Sequence, residues 1–432
     1  MKGKYVWIIL LVLSVILLLP PIVHGYIYPN GGDDTSHHLI VMEQVKLADP
    51  IPHLYLYAGQ WMVGYPLIIM RDYLHISLPL SFMWFNYLAL VGALFSIYFV
   101  CSKMFGKVAG LLTAVVAVFA AQIILEQFLA GLIFNLINMS IIFIWLAYFT
   151  VTGIVRRNWK RGMVAVLLAA LFVNFHATGN YIAVLGAPFV IGSPGTFYSI
   201  TEKIKQGLTI FNHVSSADMM NYIQVATGIF AVAGIGFYFA IKEWRKNKEV
   251  SLFVILLSIL CAGLVVIACP ILTISPVPVR QLQDAINLAV IIGGFLLGLW
   301  LRKVEFNTGI VVAVVVILSV VLVLPNWLFR DNSAIKPVDR QAINYINTLS
   351  EKGFYGNEYL SSNIYGRYIN KLYEPGSGVY IWRSIPMTMM TNPTTDLFWN
   401  PDPSNVQLPV NIKSIRYFTG GGITIYVAEA NP

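Results

Sequence analysis

Ile154-Val155-Arg156-Arg157-Asn158-Trp159-Lys160-Arg161-Gly162-Met163 is a basic turn set between two apolar runs, 131–153 and 162–180. Each run is close to the ~20 residues that a helix needs to cross a bilayer. Lys and Arg are retained on the cytoplasmic side, so such a turn marks the inner end of a helical pair. Outward from it the pattern repeats. Further apolar runs lie at 5–23, 82–101, 107–125, 221–241, 250–268, 283–301 and 308–326. Lys2 and Lys4 precede the first. Lys103 and Lys107, then Lys242, Arg245, Lys246 and Lys248, then Arg302 and Lys303, occupy alternate gaps. If all nine runs span, every basic cluster falls on one side. One more crossing over 181–191 would reverse the later clusters, so that stretch is not read as a span.

Composition agrees. The chain is 57% hydrophobic and 11% charged, whereas a soluble domain carries roughly 25% charged residues. The net charge of +8 sits in the turns, where orientation explains it, and nucleic acid is not an expected partner. Met1-Lys2-Gly3-Lys4 and the run behind it are followed by Pro20-Pro21-Ile22-Val23-His24 rather than a small-x-small cleavage site. The run therefore reads as an uncleaved first helix with its N-terminus in the cytoplasm. Cys101, Cys261 and Cys269 have no metal-ligand spacing and read as small apolar fillers.

The expected fold is an α-helical polytopic membrane protein. About nine transmembrane helices make a module over residues 1–328, and a small C-terminal extracytoplasmic α/β domain follows over 329–432. Within that domain Ile343, Ile346 and Leu349 share one face of a helix. Ile412–Phe418, Gly420-Gly421-Gly422 and Ile423–Val427 read as a β-hairpin. No internal repeat, P-loop or credible GxGxxG is present.

The outer loop 24–81 carries Gly31-Gly32-Asp33-Asp34-Thr35-Ser36-His37-His38. The stretch Thr35 to Leu47 looks helical, with Asp34 or Thr35 as N-cap. Asp34 and His38 then share a face. Three readings stand side by side. Asp34 caps a surface helix. One acid is a general base for a hydroxyl at the lipid–water boundary, its pKa raised by its acidic neighbour. Or Asp33, Asp34 and a histidine bind a metal. Glu126 falls in the outer turn between the third and fourth runs, where an ionisable group is costly and usually functional. It is either a solvated helix end or part of a site. His176, at the outer end of the fifth run, is an interior histidine or a ligand contact. Arg280 opens the eighth run, where it either pairs with Asp284 one turn along or grips a phosphate through two N–H groups.

A first span followed at once by an outer loop with an acidic pair, then many helices and a C-terminal outer domain, resembles the type-C (GT-C) integral membrane glycosyltransferases. The motif here is Asp33-Asp34-Thr35-Ser36-His37-His38, and Gly64-Tyr65-Pro66 is similar to a stretch in such first loops. The resemblance implies a sugar donor on polyprenyl or dolichyl phosphate and transfer to an acceptor hydroxyl on the outer face. It implies Asp33 or Asp34 as the base, and Arg280 and His176 at the donor phosphate. Glu126, His37 and His38 would assist the acceptor, the sugar or a metal. A divalent metal, Mg or Mn, would be held by Asp33, Asp34 and Glu126. The implied partners are the bilayer, the lipid-linked sugar and a glycan, lipid or protein acceptor. The outer domain lacks Trp-Trp-Asp-Tyr-Gly, so transfer to protein Asn is not implied. Two other classes compete. A lipid or solute transporter needs ionisable groups at mid-membrane and usually paired repeats. A non-catalytic assembly protein of cell-envelope glycan synthesis would not need Asp33 or Asp34.

Overall fold

The computed structural model describes residues 3–26, 39, 58–121, 123–129, 132–175, 216–269, 278–303, 308–329, 335–349, 353–356, 372–373, 378–383, 412–420 and 423–430. Its helices are α1 (Gly3–Val23), α2 (Ala58–Leu74), α3 (Leu78–Phe105), α4 (Lys107–Val115), α5 (Ile123–Leu129), α6 (Ile133–Ile137), α7 (Ile144–Val155), α8 (Trp159–Phe175), α9 (Ser216–Glu243), α10 (Lys248–Ile267), α11 (Pro278–Leu301) and α12 (Thr308–Leu324). Three π-helical turns continue them: Val116–Ala120 after α4, Asn138–Phe143 between α6 and α7, and Pro325–Phe329 after α12. Among the described residues every apolar run found in the sequence falls largely on helix. Among the described residues six helical segments are long and apolar enough to cross a membrane: Lys4–Val23, Leu78–Phe105, Ile133–Val155, Tyr222–Glu243, Lys248–Ile267 and Gln281–Leu301. The chain is a helical membrane protein.

Two features differ from the expectation. The run 107–125 does not continue as one helix: α4 ends in its π turn at Ala120, and α5 starts afresh at Ile123. One uncharged polar residue, Gln122, lies at the break, and a single amide does not end an apolar run in a hydropathy pattern. Part of the stretch 24–81, expected as a loop, is also helical. Helix α2 carries Gly64-Tyr65-Pro66, buries Val63, Leu67 and Ile68, and packs on α3.

Side-chain contacts gather the basic turns at one end of the bundle. Arg156, after α7, donates to Glu249 in the first turn of α10, with Nη2 to Oε2 at 2.7 Å. Lys103 Nζ lies 6.0 Å from the Tyr148 ring centroid, which joins the ends of α3 and α7. Phe105 meets Phe253 at 6.0 Å and Phe295 at 5.8 Å, bringing in α10 and α11. Trp7 against Phe99, at 5.7 Å, brings the Lys4 end of α1 to the same level.

The opposite end is closed by Trp327. Its indole Nε1 donates to the Ile16 carbonyl at 3.2 Å, and its ring lies 6.0 Å from Tyr87 and 5.4 Å from Phe128. One residue on, the Leu328 carbonyl accepts from His24 Nε2 at 2.7 Å. The last turn of α1 is thereby fixed to α3, α5 and the turn after α12.

The C-terminal part holds α13 (Pro337–Thr348) and strands β1 (Gly353–Gly356), β2 (Leu372–Tyr373), β3 (Val379–Arg383), β4 (Ile412–Gly420) and β5 (Ile423–Ala430). The sheet order is β2-β1-β3-β5-β4. β1 is parallel to β2 and β3, whereas β5 is antiparallel to β3 and β4. The β4–β5 pair is the hairpin read from the sequence. Helix α13 lies on β4 and β5, burying Ala342, Ile343 and Ile346. Tyr345 Oη donates to Glu429 Oε1 at 3.0 Å. Arg340 Nη2 donates to the Gly25 carbonyl at 2.9 Å. That bond ties the C-terminal layer to the far end of α1, away from the basic turns.

Candidate functional site

Helix α5 has only seven residues. Ile124, Leu125 and Phe128 bury its apolar face. Gln127, between them, is fully buried, and its Nε2 donates to Asp284 Oδ1 at 3.0 Å. Asn135 on α6 donates its Nδ2 to the same oxygen, also at 3.0 Å. All three side chains are 0% exposed. A carboxylate out of water is costly unless it is paired or hydrogen-bonded. Two amide donors on one oxygen supply part of what water would.

More amides lie close in sequence on the same elements. Asn138 opens the π turn three residues after Asn135, and Asn287 sits three residues after Asp284. Both are buried, and neither amide oxygen nor nitrogen of either has a hydrogen-bond partner among the described residues. π turns inside helices occur often at functional sites. Here the turn opens with a fully buried asparagine three residues after Asn135.

The segments of Glu126 and Arg280 meet at this place, and the end of α8 packs on α6 beside it. Glu126 is the residue before Gln127 on α5. Arg280 stands in the first turn of α11, four residues before Asp284. Because α5 packs on α11, the backbone positions of Glu126 and Arg280 share one end of the bundle; only their backbone belongs to the described residues. Phe175, the last residue of α8, lies 5.9 Å from Phe134 on α6, and His176 follows it in the chain. Tyr26 and Leu39, which flank Gly31–His38, are both buried in the main core, at 4% and 0% exposure. Asp33, Asp34, His37, His38 and His176 lie outside the described residues. So do most of the atoms of the metal set Asp33, Asp34 and Glu126. Among the described residues no three His, Cys, Asp or Glu side chains group as metal ligands.

Sequence reading missed Gln127, Asn135 and Asn138, and took Asp284 only as a partner for Arg280. A signal was present: three amides within twelve positions of a run otherwise apolar. Amides carry no charge, so they do not interrupt a hydropathy pattern as a carboxylate does.

Compared with known proteins, the chain matches no family model and no curated protein.

Proposed function

We propose that this chain is an integral membrane glycosyltransferase of the GT-C type. It moves a sugar from a polyprenyl- or dolichyl-phosphate carrier to an acceptor hydroxyl on the extracytoplasmic face. The observation that carries the reading is the Asp284–Gln127–Asn135 network. It ties the helix of Glu126 to the helix of Arg280 at the end away from the basic turns. The chain leading into Asp33-Asp34 starts at that same end.

In this reading all nine apolar runs span, the N-terminus and the basic turns are cytoplasmic, and residues 329–432 form an outer domain. The positive-inside rule and the bond from Arg340 to Gly25 support it. The acceptor oxygen attacks the anomeric carbon, and its proton passes to the carboxylate of Asp33 or Asp34. The bond from that carbon to the phosphate oxygen breaks, and polyprenyl phosphate leaves. Arg280 and His176 offset the charge growing on the leaving phosphate. Glu126, His37 and His38 orient the acceptor. Mg or Mn held by Asp33, Asp34 and Glu126 would supply further charge stabilisation. Asp284 touches no substrate; it holds α11 against α5.

A second reading has one observation in its favour. Asp284 is a buried carboxylate within an apolar helix, and such groups also mark solute or lipid pathways. Reconstitution separates the two. Protein in liposomes is given polyprenyl-phosphate sugars, and free polyprenyl phosphate is followed. Its release, dependent on an added acceptor, is expected. Movement of intact donor between leaflets without release would favour transport.

A further inference from the structure

Helices α7 and α8 flank an open groove of about 470 Å³. The helices touch at Gly153, where a Cβ would meet Gly162 N at 3.1 Å. They meet again where Phe143 lies 5.5 Å from Phe172. Ten residues of helix separate Gly153 from Phe143, a rise of about 15 Å. One leaflet's hydrocarbon is about as thick, half of the ~30 Å bilayer core. Leu146, Thr150 and Gly153 on α7 and Ala165, Val166 and Ala169 on α8 line the groove. Small residues leave the room, and Val166, 67% exposed, faces outward.

The groove ends at the basic turn, where Arg157, Asn158 and Trp159 complete its lining. This turn caps α7. Asn158 N donates to Gly153 O at 2.9 Å, and Arg157 N donates to Ile154 O at 3.2 Å. Arg157 has φ of 50°, the left-handed conformation that helix ends usually give to glycine. A glycine would fit at less cost, yet an arginine stands there at the mouth of an apolar groove. Arg156 is already engaged with Glu249. Lys160 rests its ammonium 5.9 Å from the Trp159 ring centroid, and that indole is 72% exposed. Arg161 has its Nη1 buried, and its charge, like that of Arg156, acts on Glu249. Two cations, Arg157 and Lys160, an exposed tryptophan and an open apolar groove about one leaflet long thus lie together.

We propose that this groove is a binding site for an anionic phospholipid. One acyl chain lies between α7 and α8, and the phosphate headgroup sits between Arg157 and Lys160. Selectivity comes from the headgroup, because an acyl chain gains little by leaving one apolar environment for another. The site is distinct from the sugar-transfer site and independent of that reading.

Native mass spectrometry of the purified full chain, titrated with dioleoyl phosphatidylglycerol or dioleoyl phosphatidylcholine, tests it. The expected result is one phosphatidylglycerol retained in preference to phosphatidylcholine. Arg157→Gly keeps the turn while removing one charge, so phosphatidylglycerol affinity should fall on the order of five-fold, with phosphatidylcholine unchanged. Ala169→Phe, which fills the groove, should weaken both lipids. Equal retention of the two lipids by the unaltered protein would overturn the proposal. So would phosphatidylglycerol binding insensitive to both substitutions, or a dimer that Ala169→Phe dissociates, which would assign the groove to a second copy of the chain.

Discussion

Gln127 and Asp284 stand 157 positions apart in the chain and are joined by a 3.0 Å hydrogen bond with no exposure to solvent. This bond and its twin from Asn135 decide how the short helix α5 meets the start of α11. Asp284→Leu would leave two buried amide donors without their acceptor and should destabilise the protein by about 3 kcal/mol. Asp284→Asn keeps a carbonyl oxygen that can accept, so the loss should be nearer ~1 kcal/mol. Thermal unfolding in detergent checks the order. Equal losses would mean that the network is not held by acceptance at Oδ1.

Trp327 should matter at a second level. Its indole packs on Tyr87 and Phe128 and donates to Ile16. Trp327→Phe keeps most of the ring contact and forfeits the hydrogen bond, about 1 kcal/mol. Trp327→Ala opens a cavity and should cost about 3–5 kcal/mol. The larger variant effect should come with lost donor turnover, because α1, α5 and the turn after α12 then lose their common contact.

Alkaline pH tests the packing of the C-terminal layer. Burial, and next the carboxylate of Glu429, push the Tyr345 phenol above its ordinary value, against a smaller opposing pull from Arg416. A raised acid pKa in the fold means that unfolding releases the proton more readily. Its contribution is therefore complete below about pH 10 and is lost as pH rises through the folded value. Unfolding of the wild type should become easier above that pH by an increment that Tyr345→Phe lacks. Parallel alkaline profiles would refute the shift.

Orientation is open to labelling. Cys101 and Cys261 are buried in the bundle, and the part-exposed Cys269 is first replaced by Ser, so native background is low. In intact cells a membrane-impermeant maleimide should modify Ser414→Cys on β4 and leave Asn158→Cys, in the basic turn, unmodified until the membrane is breached. The reverse pattern would invert the topology, and labelling of both on the same side would end the odd count of spans.

The helical bundle was legible because apolar runs and basic turns are long-range, redundant signals. Arg156 and Lys103 both announce an end of the bundle before any contact is known. The hairpin of β4 and β5 was legible from alternation around Gly420. The break between α4 and α5 was not, since only the uncharged Gln122 stands between Ala120 and Ile123 to mark it. Nor was the Asp284 network: Gln127, Asn135 and Asp284 meet only once α5, α6 and α11 are packed, and no local spacing links them. Hydropathy also passed over α2, whose Arg71 and Asp72, hydrogen-bonded to one another at 2.7 Å, break its apolar pattern. The acidic pair Asp33-Asp34 was conspicuous in sequence, and Tyr26 and Leu39, the described residues nearest to it in the chain, are buried.

The most direct measurement of the central claim compares wild type, Asp33→Asn and Asp34→Asn in liposomes supplied with a panel of polyprenyl-phosphate sugars and cell-extract acceptors, reading polyprenyl phosphate released. Loss of turnover by about 10²–10⁴-fold in one of the two variants, with the fold intact, is predicted for removal of a general base. Equal turnover in all three proteins, or none from the wild type with any donor and acceptor, would contradict the account.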